Sequence, residues 1–180
     1  MAVVKEIKGV RIYLAGLDPQ QISSQYQAWM KDAEVLRFLD NPSGDYSLKG
    51  LEEYVRQMNE SPKDYLFGIF LNDSDEHIGN IKIGNVHSVH RRGDIGLVIG
   101  AKRLWGFGYG TEAIDLVTKY AFEVLYLNKV YAGILKMNVG SAKAFMKAGY
   151  REIGHLERHD FHQGMFADSI MVEKCAGAEK

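Results

Sequence analysis

Three glycines at alternate positions, Gly106, Gly108 and Gly110 in the stretch RLWGFGYGTEA, run directly into a helix-like apolar pattern. No other feature restricts the fold as strongly. Glycine removes the Cβ barrier to positive φ and lets other atoms approach the main chain, at about 0.5–1 kcal/mol of chain entropy each. A loop that follows a strand and opens a helix gathers unpaired N–H groups at the positive end of the helix dipole, which suits a phosphate or pyrophosphate. Arg103 at its mouth reads either as a further charge-assisted contact or as a solvated surface residue. The G-x-x-x-x-G-K-[ST] pattern is absent and GFGYG lacks the last spacing of G-x-G-x-x-G, which argues against both common nucleotide loops.

The surrounding periodicities place this loop in a mixed layer architecture. Residues 10–15 read as a first strand. Asp18-Pro19 opens a helix expected to run to about Asp32, with Ile22, Tyr26 and Trp29 on its apolar face. Asn41-Pro42-Ser43-Gly44 interrupts the chain, and Ser47 caps a second helix carrying Leu51, Tyr54, Val55 and Met58. YLFGIFL (65–71) and HIGNIKIG (77–84) predict a hairpin across the turn NDSD, followed by a polar link, NVHSVHRRGD (85–94), and a central strand, DIGLVIG (94–100). After the loop, Ala113, Ile114, Val117, Ala121, Val124 and Leu125 share a helix face. A strand at 129–136 and a short helix at 138–148, closed by Gly149, come next. YREIGHLE and MFADSIMVEK then read as strands around the turn RHDFHQG. The fold class is α+β, an α/β three-layer arrangement with a partly antiparallel sheet. With no Pro/Ser linker, residues 1–180 are expected to form a single domain.

Charge excludes several classes of function. Lys+Arg 22 against Asp+Glu 23 gives a net charge of -1, so there is no global basic field to hold nucleic acid. No run of 18 apolar residues and no leader-type h-region occurs, so no membrane partner is expected. A single cysteine, Cys175, has no disulfide partner and suits a reducing, cytoplasmic setting. The pairs His87/His90 and His159/His162 lie on no convincing helix and have no cysteine nearby, so no metal is expected. His87, His90, Arg91, His155, Arg158 and His159 read instead as the border of an acceptor pocket or as solvated residues. Tyr26, Trp29 and Phe38 read as core.

Several of these segments also carry a family resemblance. Arg103-Leu104-Trp105-Gly106-Phe107-Gly108 resembles the R/Q-x-x-G-x-G/A pattern of GNAT-type N-acetyltransferases. WGFGYGTEA is similar to the WGxGYxTEA form of the branch that includes the ribosomal-protein alanine acetyltransferases. Asn138-Val139-Gly140-Ser141, with Phe145, Lys147 and Ala148-Gly149-Tyr150, resembles that branch's N-x-x-S…F-x-K-x-G-F segment, and WMKDAEVLRFLD resembles its W-x-x-D-x-E-V-x-R-F stretch. The resemblance covers nearly the whole chain. It implies a mostly antiparallel central sheet with two strands, at 94–100 and 129–136, splayed to hold acetyl-CoA. Backbone groups of Leu97, Val98 and Ile99 would pair with the pantetheine arm. The loop residues Arg103, Gly106, Phe107, Gly108, Tyr109, Gly110 and Thr111 would hold the pyrophosphate. Asn138, Ser141 and Phe145 would contact the cofactor from the far side, and homodimers are common among similar enzymes.

Acetyl transfer needs a neutral amine, a stabilised oxyanion and an exit for the thiolate. An alkylamine is mostly protonated at pH 7, so a base or a water chain must remove a proton. The resemblance assigns the base to a carboxylate on the strand before the loop, where this chain has Asp94; a surface carboxylate facing Arg91 or Arg92 is the plainer reading. The Val98 N–H is the expected oxyanion donor. Many relatives protonate sulfur with a tyrosine seven residues after the asparagine. This chain has Phe145 there, leaving Ser141, whose hydroxyl could equally cap the helix, or an unassisted thiolate. The expected acceptor is the primary amine of a small molecule, an amino sugar or nucleotide-linked amino sugar. Alternatives are a protein N-terminus, or a domain that binds acyl-CoA without turnover.

Overall fold

The computed structural model describes residues 6–39 and 44–177. Its strands are β1 (Ile7–Lys8), β2 (Ile12–Gly16), β3 (Tyr65–Leu71), β4 (His77–His87), β5 (Arg92–Ile99), β6 (Lys129–Leu135), β7 (Arg151–His162) and β8 (Met165–Cys175). Its helices are α1 (Ser24–Trp29), α2 (Ala33–Leu36), α3 (Leu48–Glu60), α4 (Tyr109–Glu123) and α5 (Val139–Lys147). The strands form one eight-stranded sheet in the order β1-β2-β3-β4-β5-β6-β8-β7. Every pairing is antiparallel except β5 with β6.

The strand pleat sorts the core into layers. Phe67 turns toward α4, where it meets Tyr120 edge-on at 5.4 Å between centroids. Ala113, Ile114, Val117 and Ala121 of α4 are buried beneath. Leu66, one residue earlier and hence on the opposite face, shares a cavity wall with Leu51 and Tyr54 of α3. Trp29 covers the end of β5: a Cβ on Gly100 would stand 2.0 Å from the Trp29 ring. Glycine is the residue that lets the indole lie there.

Several expectations needed correction. Val124 and Leu125, expected on the apolar face of α4, lie past its end at Glu123, and Val124 is exposed. The helix expected from Asp18 is split into a 3₁₀ turn (Pro19–Gln21), α1 and α2. Asp18, Ser23 and Asp32 each accept a backbone N–H two or three residues on, and these local caps compete with continuous helix. The polar link at 85–94 is largely strand: β4 extends to His87 through an irregularity after Gly84, and β5 resumes at Arg92. The turn expected at 158–164 shrinks to Gln163 and Gly164, both at positive φ as in a tight hairpin. Its irregularity moves to a bulge between Leu156 and Asp160, where Asp168 accepts the Arg158 N–H at 3.0 Å and bonds the His155 ring at 3.0 Å. The break expected at Asn41-Pro42-Ser43 lies outside the described residues.

Candidate active site

A fork between two parallel strands creates the site. β5 and β6 pair only at Arg92↔Lys129, Gly93↔Val130 and Asp94↔Tyr131. Beyond Asp94, β5 keeps its bonds to β4 while β6 is held by β8. The far edge of residues 95–99 therefore opens into a cavity of about 900 Å³, with Gly133, Ile134 and Leu135 of β6 on its other wall.

The ladder phase decides which amides face that opening. Gly100 N–H bonds Ile78 O at 2.9 Å, and Val98 stands opposite Asn80 in the same register. Alternate residues of an antiparallel strand point to opposite edges, so Gly96 and Val98 direct their amides at β4 while Leu97 and Ile99 face the fork. The Trp105 indole N–H supports this phase by donating to Ile99 O at 2.7 Å. Val98, expected to donate to the oxyanion, has its N–H turned into the sheet. Of the three expected pantetheine partners, Leu97 and Ile99 present their amides to the opening and Val98 does not.

At the far end of β5 the chain coils into the glycine loop. Gly106 and Gly108 have φ of +83° and +86°, a left-handed conformation that side chains resist. Gly110 lies within α4, where an added Cβ would meet Leu97 Cδ1 at 3.4 Å. The first backbone bond of the helix runs from Glu112 N–H to Gly108 O. The amides of Tyr109, Gly110 and Thr111 precede it and have no intrahelical partner. Arg103 directs its guanidinium at Glu76 rather than along the loop. Phe107 is exposed, and its carbonyl accepts from Arg11 Nη1 at 2.8 Å. Arg11 also lies over the Tyr109 ring, 4.5 Å from the centroid. The Arg11–Glu112 pair that braces this loop was missed from sequence: its members are about a hundred residues apart, and local spacing carries no signal for such a contact.

Across the fork, Asn138 caps α5, its Oδ1 accepting the Ser141 N–H at 3.2 Å. The capping role weighed for Ser141 thus belongs to Asn138. Ser141 and Phe145 both line the cavity, and Phe145 is fully buried edge-on to Tyr150 at 5.0 Å.

Asp94 occupies the vertex. Its Oδ1 accepts from Asn85 Nδ2 at 2.7 Å, and its carboxylate leans over Gly84, toward β4 and Asp64. Asn85 in turn donates its N–H to Asp64 at 3.2 Å, and Asp64 accepts from the Ser61 hydroxyl at 2.6 Å. Asn85 has φ of +50°, a conformation asparagine tolerates better than most residues. None of this network was legible in the alternation of β4. Arg91, weighed as a partner of Asp94, donates from Nε to Tyr126 O at 2.7 Å.

The remaining cavity wall mixes charges. Asp45, Glu53, Asp94 and Asp160 line it together with Lys49, Lys82 and His159. His87 and His90 stack on each other at 4.2 Å in the β4–β5 turn, away from this wall, and His155 is engaged by Asp168. Tyr26 and Trp29 are core, as expected. Phe38 is half-buried and stacks on His162 at 6.1 Å. Among the described residues no cluster of three or more metal-ligating side chains occurs, and no helix is long and apolar enough to cross a membrane.

Comparison with known proteins gives the family and the fold. The family described as "Acetyltransferase (GNAT) domain" matches residues 11–151. The chain is 27% identical to the probable N-acetyltransferase YjcK of Bacillus subtilis, over 90% of this chain and 92% of that one. Its fold is similar to that of Mycobacterium smegmatis RimJ in complex with CoA-disulfide, with a TM-score of 0.82 and 20% identity over 92% of this chain and 82% of that one. It is also similar to Vibrio cholerae spermidine N-acetyltransferase in complex with CoA and spermine, with a TM-score of 0.79 and 20% identity over 92% and 95%.

Proposed function

Since this chain belongs to the GNAT acetyltransferase family and is an acetyl-CoA-dependent N-acetyltransferase, we propose that its acceptor is the primary amine of a small polar molecule of the amino-sugar class, free or nucleotide-linked. The observation that carries this reading is the cavity wall beyond the fork. Lys49, Glu53, Tyr54 and Gln57 of α3 and His159 of β7 offer donors and acceptors of both charge signs. A polyhydroxylated amine can use both kinds of group, whereas a polyamine asks for carboxylates alone.

The chemistry follows from the fork. The open edge of β5 and the unpaired amides of the glycine loop fit the pantetheine arm and pyrophosphate of acetyl-CoA, which supplies the activated acetyl group. Leu97 and Ile99 hold the arm, the loop from Arg103 to Thr111 holds the phosphates, and the Asn138 amide meets the arm from the other side. Asp94 takes the amine proton, directly or through one water. The amine attacks the thioester in a ternary complex, and the Leu97 N–H takes the oxyanion role expected of Val98. Ser141 offers its hydroxyl to the sulfur. Transfer is direct, with no covalent enzyme intermediate.

Free-thiol release from acetyl-CoA, measured across amino sugars, UDP-linked amino sugars, spermidine and Ala- or Ser-initiated peptides, tests the acceptor. At least a tenfold preference in kcat/KM for the sugars is expected. A preference for peptides would favour the second reading, acetylation of a protein N-terminus, which the similarity in fold to RimJ and in motif to ribosomal-protein acetyltransferases supports. The lone Cys175 suits a cytoplasmic setting, and a homodimer, checked by sedimentation, is the expected assembly.

A further inference from the structure

One cavity cation plays no part in the chemistry above. Lys82 lies on β4 opposite Gly96, with its side chain on the face that carries Asp94 and Val98. Gly96 has no side chain, and the Lys82 stem fills the space: a Cβ on Gly96 would meet Lys82 Cε at 3.6 Å and Cγ at 3.8 Å. A lysine stem is longer than the roughly 4.8 Å between neighbouring strands, so a side chain that leans over Gly96 has the reach to carry its ammonium toward the fork, whose cavity Lys82 lines. Asp94 leans the opposite way, over Gly84. Two glycines on adjacent strands thus let two opposite charges pass each other. Among the described residues Lys82 forms no ion pair or side-chain hydrogen bond, although Asp94 is its diagonal neighbour.

The cofactor's direction then places this charge. With the phosphates at the loop beyond Ile99, the arm would pass Ile99 and Leu97 and bring its thioester toward Gly96 and the vertex at Asp94. Phe145, in the position where many relatives have a tyrosine, offers no proton donor there. We propose that Lys82 is a catalytic residue whose ammonium meets the negative charge arising on the CoA sulfur. As the tetrahedral intermediate collapses, the C=O bond re-forms and the C–S bond breaks with its electron pair going to sulfur. That charge pairs with Lys82, while the proton shed by the attacking nitrogen passes through Asp94 or solvent and finally protonates the CoA thiolate to the free thiol. A positive charge fixed beside the leaving group favours the transition state more than the neutral thioester. The proposal rests on acetyl-CoA occupying the fork and not on the identity of the amine.

The test uses CoA itself as the probe. The ultraviolet absorbance of the thiolate is titrated with CoA bound to the intact protein, in wild type, Lys82→Met and Lys82→Arg. Asp45, Lys49, Glu53, Asp94, Asp160 and His159 also line this cavity and are kept constant across the series. A free thiol titrates near 8.5, and an opposite charge at close range shifts such a group by about one unit or more. In wild type and Lys82→Arg the bound thiol is expected to titrate about one unit below its value in Lys82→Met. CoA affinity at pH 6, measured by calorimetry, should agree within threefold among the three, which separates charge loss from misfolding. If Lys82→Met does not fold, Lys82→Gln replaces it. Equal thiol titration in all folded variants overturns the proposal. So does a kinetic effect confined to the acceptor's KM, because that would make Lys82 an acceptor contact. Absence of CoA binding in wild type would instead refute the fork assignment, and an unexpected acceptor preference would refute the amino-sugar reading alone.

Discussion

Glu112 holds Arg11 at two points: Oε1 accepts the Arg11 backbone N–H at 2.8 Å and Oε2 accepts from the guanidinium Nε at 2.8 Å. The same guanidinium reaches the Phe107 carbonyl, so one ion pair fixes the start of β2, the first turn of α4 and the loop between the glycines. Removing it should loosen the glycine loop before it unfolds the protein. Glu112→Ala is expected to lower stability by about 2 kcal/mol, in the range for hydrogen bonds to charged groups and reduced for the partial exposure of Arg11. It should also weaken CoA binding several-fold. Urea unfolding and calorimetry check the two effects; unchanged values of both would deny the brace.

The acid limb of stability follows from the same residue. Burial pushes the Glu112 carboxyl up, but the Arg11 N–H, the Arg11 guanidinium and the Ile12 N–H together outweigh it and leave the pKa below the usual value. Glu173, buried between Lys129 and Arg151, is lowered by those two partners. A carboxylate with a lowered folded pKa stabilises the fold above its unfolded pKa, and that contribution is lost as pH falls through the folded one. Stability should therefore drop as pH falls below about 4.5, near the unfolded glutamate value. The drop should be shallower in Glu173→Gln, read as the urea midpoint against pH. A slope as steep as wild type would separate Glu173 from the acid transition.

Gly108 tests the loop. At φ of +86° any Cβ meets the left-handed penalty of about 1–2 kcal/mol. Gly108→Trp adds bulk where the pyrophosphate would lie and should raise the acetyl-CoA Kd more than tenfold. Unchanged affinity in a folded variant would remove the loop assignment.

Asp94→Asn tests the vertex. Its kcat should fall mainly near neutral pH and recover toward wild type in alkaline solution, where the amine loses its proton unaided. A wild-type pH–rate profile would clear Asp94 of the base role.

Sequence patterns gave the elements around the candidate site better than their orientation. The glycine loop, the strands beside it and the Asn138 helix were legible because each rests on local rules: glycine before a helix, an apolar run of strand length, a cap. The face of Val98 was not, since one residue of register decides which edge an amide meets and only the Gly100–Ile78 bond reveals it. Lys82 was equally hidden. Its meaning depends on Gly96 being opposite and on Asp94 leaning away, both products of strand pairing rather than of local sequence.

The most direct test of the account is calorimetry of acetyl-CoA binding with thiol release across the amine panel, on the full chain. Stoichiometric binding, lost in Gly108→Trp, with turnover on a primary amine is the predicted result. A chain that binds no acetyl-CoA, or that binds it as tightly with a tryptophan at position 108, would contradict the assignment of the fork as the cofactor site.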